Sequence, residues 1–326
     1  MKKPKIIVIL GPTSSGKSDL AVKVARKFNG EIISADSRQV YKNMNIGSGK
    51  ITKKEMLGIP HHLLDIANPE RTFTVNQYQK LAKKALEKII KNGKLPIICG
   101  GTGLYIDSVI YDYKFPKAPP NQKLRQKLEK LKTEKLFEKL EKLDPRRAKN
   151  IDSHNRRRLI RALEIIAFTK KPVPLLTIRS DSKKSKFQIL KIGTKKTPEE
   201  LKNKIKKRLF KRLKTGIIAE VKDLHKSGLS WKKLDDLGLE YRFISRYLRR
   251  LISHQEMIEL ILRESYKYAK RQMTWFSAKG GSPPEADAPL EHASGGKKDK
   301  NIYWLDPDNK NDFKKIFALC QNFLNL

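Results

Sequence analysis

Ile6-Ile7-Val8-Ile9-Leu10-Gly11-Pro12-Thr13-Ser14-Ser15-Gly16-Lys17-Ser18 is the stretch that decides the fold. Five apolar residues, Ile6 to Leu10, predict a buried parallel strand. They run into Gly11-x-x-x-x-Gly16-Lys17-Ser18, the phosphate-loop pattern with a strand before it and a helix after it. The glycines let the backbone curl so that several N–H groups point into one nest. The following helix turns its N-terminus, with its partial positive charge, to the same spot. Lys17 adds a full charge, and the Ser18 hydroxyl can ligate magnesium. Gly11, Pro12, Thr13, Ser14, Ser15, Gly16, Lys17 and Ser18 therefore form an expected di- or triphosphate site. The loop names the phosphate and not the reaction, since kinases, GTPases, ATPases and some transferases share it.

Outward from this loop the pattern stays α/β. The spacing predicts a helix over 17–28 and a short strand over 31–34, ending in the polar run Ala35-Asp36-Ser37-Arg38-Gln39-Val40-Tyr41. Helical spacing of Tyr78, Leu81, Ala82, Ala85, Leu86 and Ile89 fills 74–92, and Gly93 suits a C-terminal cap. Residues 96–99 read as another buried strand, followed by Gly100-Gly101-Thr102-Gly103-Leu104-Tyr105. Strand, helix, strand is the rhythm of a parallel sheet flanked by helices, and such sheets bind ligands at the strands' carboxyl ends. Residues 1–113 are thus the first part of a phosphate-loop catalytic core.

The character then changes. Residues 114–186 are charged and mainly helical, an insertion-like region ending in an arginine helix that faces the core. Residues 187–276 bring a return strand and basic helices; Thr197-Pro198-Glu199-Glu200 reads as a capping box with proline at the first helical position. Residues 277–300, rich in Gly, Pro, Ala and Ser, read as a disordered loop, and deleting 279–299 should change neither fold nor catalysis. Residues 301–326 give the last strand and helix of the core.

Composition narrows the partners. The chain has 326 residues and a formal net charge of +38. A field of that sign attracts a polyanion, nucleic acid first. Lysines that merely solvate helix faces, as in a thermophile or a Lys-rich genome, are the other source of such an excess. Two distant cysteines, Cys99 and Cys320, cannot make a zinc site and fit a reducing cytoplasm. Met1-Lys2-Lys3 and the short apolar run imitate a signal peptide, but the run is too short for one. No run approaches the roughly 18 apolar residues of a membrane span.

Six ordered blocks carry a resemblance: residues 11–18, 34–41, Pro60-His61-His62-Leu63-Leu64-Asp65, 100–105, Arg161-Ala162-Leu163-Glu164, and Ala269-Lys270-Arg271-Gln272-Met273-Thr274-Trp275-Phe276. Together they resemble the tRNA dimethylallyltransferases, over nearly the whole chain except 277–300. The resemblance implies a phosphate-loop NTPase-like sheet with an inserted, mainly helical tRNA-binding region. It also implies transfer of a dimethylallyl group from dimethylallyl diphosphate to the N6 amine of the adenosine beside the anticodon, with Mg2+. Asp36 would take the amine's proton, and Thr102 would bridge amine and diphosphate. Without the resemblance, Asp36 reads equally well as a turn cap, and Thr102 as a cap of the next helix. Lys17 would neutralise the leaving diphosphate, with Arg208 as a further candidate.

The resemblance places Asp36, Ser37, Arg38 and Gln39 on the target base and its neighbours. Arg157, Arg158, Arg161, Lys270, Arg271, Gln272, Thr274 and Trp275 would grip the tRNA; each arginine alone also reads as a solvated surface charge. The expected form is a cytoplasmic monomer. The chain departs from the family at Ser153-His154-Asn155 and Gly238-Leu239-Glu240-Tyr241-Arg242, and both departures bear on tRNA docking. His61 and His62 suggest packing more than a metal. A small-molecule kinase would share only residues 6–18, and a free-adenylate, cytokinin-type transferase would need no anticodon-stem surface.

Overall fold

A computed structural model describes residues 3–174, 186–277 and 302–325. The chain begins with β1 (Lys5–Leu10), α1 (Lys17–Lys27), β2 (Gly30–Ser34), α2 (Lys53–Met56), β3 (His61–His62), α3 (Val75–Lys91), β4 (Leu95–Gly100) and α4 (Gly103–Ile110). Four helices follow: α5 (Gln122–Glu129), α6 (Thr133–Leu143), α7 (Pro145–Ala148) and α8 (Arg156–Thr169). Then come β5 (Gln188–Thr194), α9 (Pro198–Thr215), α10 (Ile217–Lys226), α11 (Trp231–Leu237), α12 (Leu239–Leu248), α13 (His254–Ser277), β6 (Ile302–Leu305) and α14 (Lys310–Leu324). Of the loop expected over 277–300, Ser277 closes α13 and the rest lies outside the described residues.

The strands form one parallel sheet in the order β3-β2-β4-β1-β5-β6. β1 lies between β4 and β5, with Ile7 beside Ile97 and Ile9 beside Ile192. It reads as an unbroken apolar run because helices cover both faces: Ile6 to Leu10 are all buried. On one face Leu20, Ala21 and Val24 of α1 and Ile316 and Cys320 of α14 join Ile7, Ile9 and Ile97 in a single core. From β1 the chain runs to β2 on one side and only later returns to β5 on the other. The carboxyl ends of β1, β2, β4 and β5 therefore meet at a switch in strand order, where open sheets hold ligands.

Capping sets the helix starts. Thr74 with Gln77, and Thr197 with Glu200, each make the reciprocal pair of bonds of a capping box, and Pro198 opens α9. His61 and His62, not expected in a strand, form the short edge strand β3. Their rings are spent on Ile59 O and on Glu31. No cluster of three or more metal-ligating side chains occurs among the described residues. No helix among them is long and apolar enough to cross a membrane.

The described residues divide into two compact units. One holds the sheet, with 3–110, 186–276 and 302–325. The other, 111–174, packs α5 to α8 around Leu128, Leu136, Leu140, Leu159, Leu163 and Ile166. Within it Asn155, in the Ser153-His154-Asn155 departure, caps α8 by accepting from Arg158 N.

Candidate functional site: a phosphate nest beside an Asp–Thr turn

The loop after β1 has the backbone its sequence requires. Gly16 is left-handed at φ +84° and Ser14 at φ +64°, so successive amides curl toward one point. At Gly11 a Cβ would strike Thr194 on β5, so only glycine fits between the two strands. Thr194 is part of the support: its hydroxyl lies 2.6 Å from Ser15 Oγ, and Ser15 also donates to Pro12 O. The amides of Ser14, Ser15, Gly16 and Lys17 hydrogen-bond to nothing among the described residues. Gly16 caps α1 without any side-chain help. A ring of open donors at a helix N-terminus is an anion site.

Two cations face it. Lys17 Nζ donates to Pro12 O at 3.1 Å. Arg208, on α9, donates to Thr13 Oγ1 at 2.9 Å and to Gly49 O at 3.3 Å. Neither has a carboxylate within ion-pair distance among the described residues. Burial lowers the pKa of Lys17, and nearby Arg208 pushes the same way against Cys99 and Asp36. Burial, and then the like charge of Arg212, brings Arg208 down to about 10. Both signatures belong to positive charge held where solvation is poor and a counter-charge is missing. The Ser18 hydroxyl also has no partner among the described residues.

Across the nest, β2 ends in the Asp36 turn. Asp36 Oδ1 accepts from Arg38 N at 2.8 Å and Gln39 N at 3.3 Å. Asp36 thus is a turn cap, yet its second oxygen takes no hydrogen bond among the described residues and stays open. Thr102 sits alongside: its N–H donates to Ala35 O at 3.1 Å, and its Oγ1 accepts from Ser37 N at 3.1 Å. Tyr268, which the sequence did not flag, also reaches Thr102; burial and then the Asp36 charge push its phenol up to about 12. Gln39 uses its amide inside the protein, donating to Gly49 O at 3.1 Å and accepting from Ser34 Oγ at 3.4 Å. The Arg38 guanidinium has no partner among the described residues.

The Gly47–Gly49 loop beside Arg208 is pinned by a residue sequence reasoning missed. Glu220 accepts from the amides of Asn45 (2.8 Å), Ile46 (2.6 Å) and Gly47 (2.9 Å), and from the Tyr241 hydroxyl (2.9 Å). Glu240, in the other departure from the family, pairs with Arg212 at 2.6 Å. No local signal marks Glu220, because the three amides it holds lie 173 to 175 positions away.

The residues expected to grip tRNA separate into two groups. Lys270 and Arg271 are exposed, as is Arg157. Others are spent inside the fold. Gln272, 6 % exposed, accepts from Thr13 N at 2.8 Å and donates to Gly101 O at 2.9 Å. Trp275 Nε1 donates to Asp107 at 2.7 Å, and its ring covers Gly103. Thr274 donates back to Lys270 O. Arg158 is 6 % exposed, and Arg161 donates to Ala118 O and to Glu164. Gln272 and Arg158 are thus buried, and Arg161 and Gln272 hold partners within the fold.

Comparison with known proteins gives a consistent picture. A family model described as "IPP transferase" matches residues 39–279. The tRNA dimethylallyltransferase of Thermoanaerobacter sp. (strain X514) is 45 % identical over 278 residues, 83 % of this chain and 88 % of that protein. That of Acetivibrio thermocellus is 38 % identical over 323 residues, 98 % and 97 % of the two chains. The crystal structure of the full-length tRNA isopentenylpyrophosphate transferase from Bacillus halodurans is similar with a TM-score of 0.69 at 33 % identity, covering 99 % of this chain and 97 % of that one. A eukaryotic dimethylallyltransferase, captured acting on tRNA, is similar with a TM-score of 0.75 at 26 % identity, covering 99 % and 80 %.

Proposed function

This chain belongs to the IPP transferase family, and on that footing we propose that it transfers a dimethylallyl group from dimethylallyl diphosphate to the N6 amine of the adenosine 3′ of the anticodon in tRNA, position 37, releasing diphosphate. The observation that supports this most is a pair of partly buried cations, Lys17 and Arg208, without a carboxylate partner, at the open amides of the nest. A diphosphate supplies the missing charge. As the allylic C–O bond breaks, negative charge gathers on the departing diphosphate, and preformed donors there stabilise the transition state.

The acceptor is a weakly basic aromatic amine, and forming its N–C bond requires loss of a proton. The open oxygen of Asp36 takes that proton. Thr102 Oγ1 accepts from Ser37 N and meets the Tyr268 phenol, which hold it beside Asp36, where its hydroxyl can turn to the diphosphate or the amine. Arg38 is placed to reach the base edge or its flanking phosphate. The base leaves the anticodon stack to enter, at small cost from a loop. Lys270, Arg271 and Arg157 supply backbone contacts.

Magnesium fits as the companion of the diphosphate: Ser18 Oγ is free to ligate it, and the remaining ligands would come from the substrate. When bound it supplies further charge neutralisation on the leaving group. The protein is proposed to act as a monomer in the cytoplasm, where its two free, buried cysteines stay reduced.

One assay tests the reading. Labelled dimethylallyl diphosphate is incubated with the protein and tRNA, AMP, or no acceptor, with and without magnesium. Label in tRNA alone is the expected result. Label on AMP would favour the free-adenylate transferase, and ATP hydrolysis without transfer would favour a kinase.

A further inference from the structure

We propose that Gln272 is a positioning residue that locks the donor loop to the acceptor turn, rather than a contact to tRNA. The inference rests on the reaction proposed above and assigns Gln272 a task within it. The two ends of a carboxamide differ, one accepting and one donating. Here Oε1 accepts from Thr13 N at 2.8 Å and Nε2 donates to Gly101 O at 2.9 Å. Both partners are backbone groups, and the side chain is only 6 % exposed, so its second lone pair and second N–H are not presented to an RNA.

What the clamp joins gives it meaning. On one side stands Thr13, whose hydroxyl seats Arg208 at 2.9 Å. On the other, Gly101 precedes Thr102, whose hydroxyl accepts from Ser37 N beside Asp36. The bonds close into a circuit: Arg208 to Gly49, Gln39 to Gly49, Gln39 N to Asp36, Ser37 to Thr102, Gly101 to Gln272, Gln272 to Thr13, Thr13 to Arg208. Gln272 is the member contributed by α13, and it ties the loops past the ends of β1 and β4, beyond the last paired residues Leu10 and Gly100. A Cβ on Gly101 would run into its amide, so the clamp closes only over glycine. One turn later Trp275 repeats the attachment through Asp107 and Gly103. Reacting groups displaced by about an ångström can lose on the order of 100-fold in rate, which is the scale of effect expected of such a clamp.

The experiment compares Q272A, G101A and Q272E with the wild type. Donor KM, single-turnover rate, tRNA Kd and melting temperature are measured for each. Q272A and G101A should each lower the single-turnover rate about 30- to 100-fold, with tRNA Kd within about twofold of wild type. Q272E gives a readout that a plain structural role would not. A protonated carboxyl accepts from Thr13 N and donates to Gly101 O; a carboxylate can only accept, and it opposes the carbonyl. Its rate relative to wild type should therefore fall steadily as pH rises from about 5.5 to 8.5, across the carboxyl's range when held in such a site.

A flat ratio, or Q272A with normal donor kinetics and weakened tRNA binding, would overturn the clamp and return Gln272 to the tRNA surface. If Q272A does not fold, the Q272E profile decides alone. Wild-type protein that transfers no label would instead defeat the proposed reaction, an outcome the same assay reads separately.

Discussion

The cations at the nest and the arginines of α8 are the same chemistry put to opposite use. Lys17 and Arg208 lie partly buried beside open backbone amides, with no carboxylate to answer them. On α8, Arg161 donates to Ala118 O and to Glu164, and Arg125 of α5 makes a two-bond fork to the same carboxylate at 2.7 Å. Glu164 is only 2 % exposed. Burial alone would raise its pKa, but the Arg125 bonds, the Asn121 amide and the two guanidinium charges outweigh that, and it lies below the ordinary glutamate value. Residue type therefore does not separate a ligand-facing cation from a structural one. Whether the fold has already supplied its counter-charge does.

The largest effect that could break this contrast is at the reacting centre. Asp36→Asn keeps the Oδ1 acceptor and hence the turn, but loses the base. Single-turnover transfer should fall by about 10²–10⁴ with donor affinity nearly unchanged; a near-normal rate would remove Asp36 from the mechanism.

Next is the unanswered charge. Lys17→Met should cut transfer by about 10²–10³ and at the same time raise the melting temperature at pH 7. The sign follows from linkage. Lys17 has a folded-state pKa below its unfolded value near 10.4, so the unfolded chain holds more protons between the two, and stability rises with pH through that window. At pH 7 the penalty is fully present, and removing the charge relieves it. The gain should shrink toward pH 10.4, and calorimetry across pH 7–10 checks it. A destabilised variant would mean that the charge is already balanced.

The answered charge behaves in reverse. Glu164→Gln leaves Arg125 and Arg161 short of a partner and should cost about 1–2 kcal/mol at pH 7. That is less than the ~3–5 kcal/mol of a fully buried pair, because Arg125 is 36 % exposed. A depressed glutamate contributes stability above its unfolded pKa, near 4.3, and loses it as pH falls through the lower folded value. The gap between variant and wild type should therefore begin to close as pH falls past about 4.3 and vanish only beneath the depressed folded-state value, as thermal melts would show.

The smallest effect sharpens the comparison on the tRNA side. Lys270→Ala, at an exposed side chain, should weaken tRNA binding only a few-fold and reduce the salt slope by about one. Arg158→Ala, at a buried one, should lower the melting temperature and leave the slope alone. If both changed the slope equally, burial would not be the discriminator.

The sheet core and the nest are legible in the amino-acid sequence. The apolar run Ile6 to Leu10, the curl at Gly16 and the place of Lys17 are written within about ten residues, where strand, curl and helix N-terminus leave little choice, whereas Gly11 answers to Thr194 on β5. The capping boxes at Thr74 and Thr197 were legible for the same reason. Asp36 and Thr102 were legible as polar residues at strand ends, though not that one Asp36 oxygen is used and the other left open. It took the folded chain to bring Arg208 to Thr13 across 195 positions, Gln272 to the same residue across 259, and Glu220 to the Gly47 loop. A side-chain amide or carboxylate has no periodicity that announces its partner. Whether it meets solvent, RNA or a backbone group is fixed by which surfaces folding brings together, and that is settled when burial leaves each polar group no choice but to find a bond.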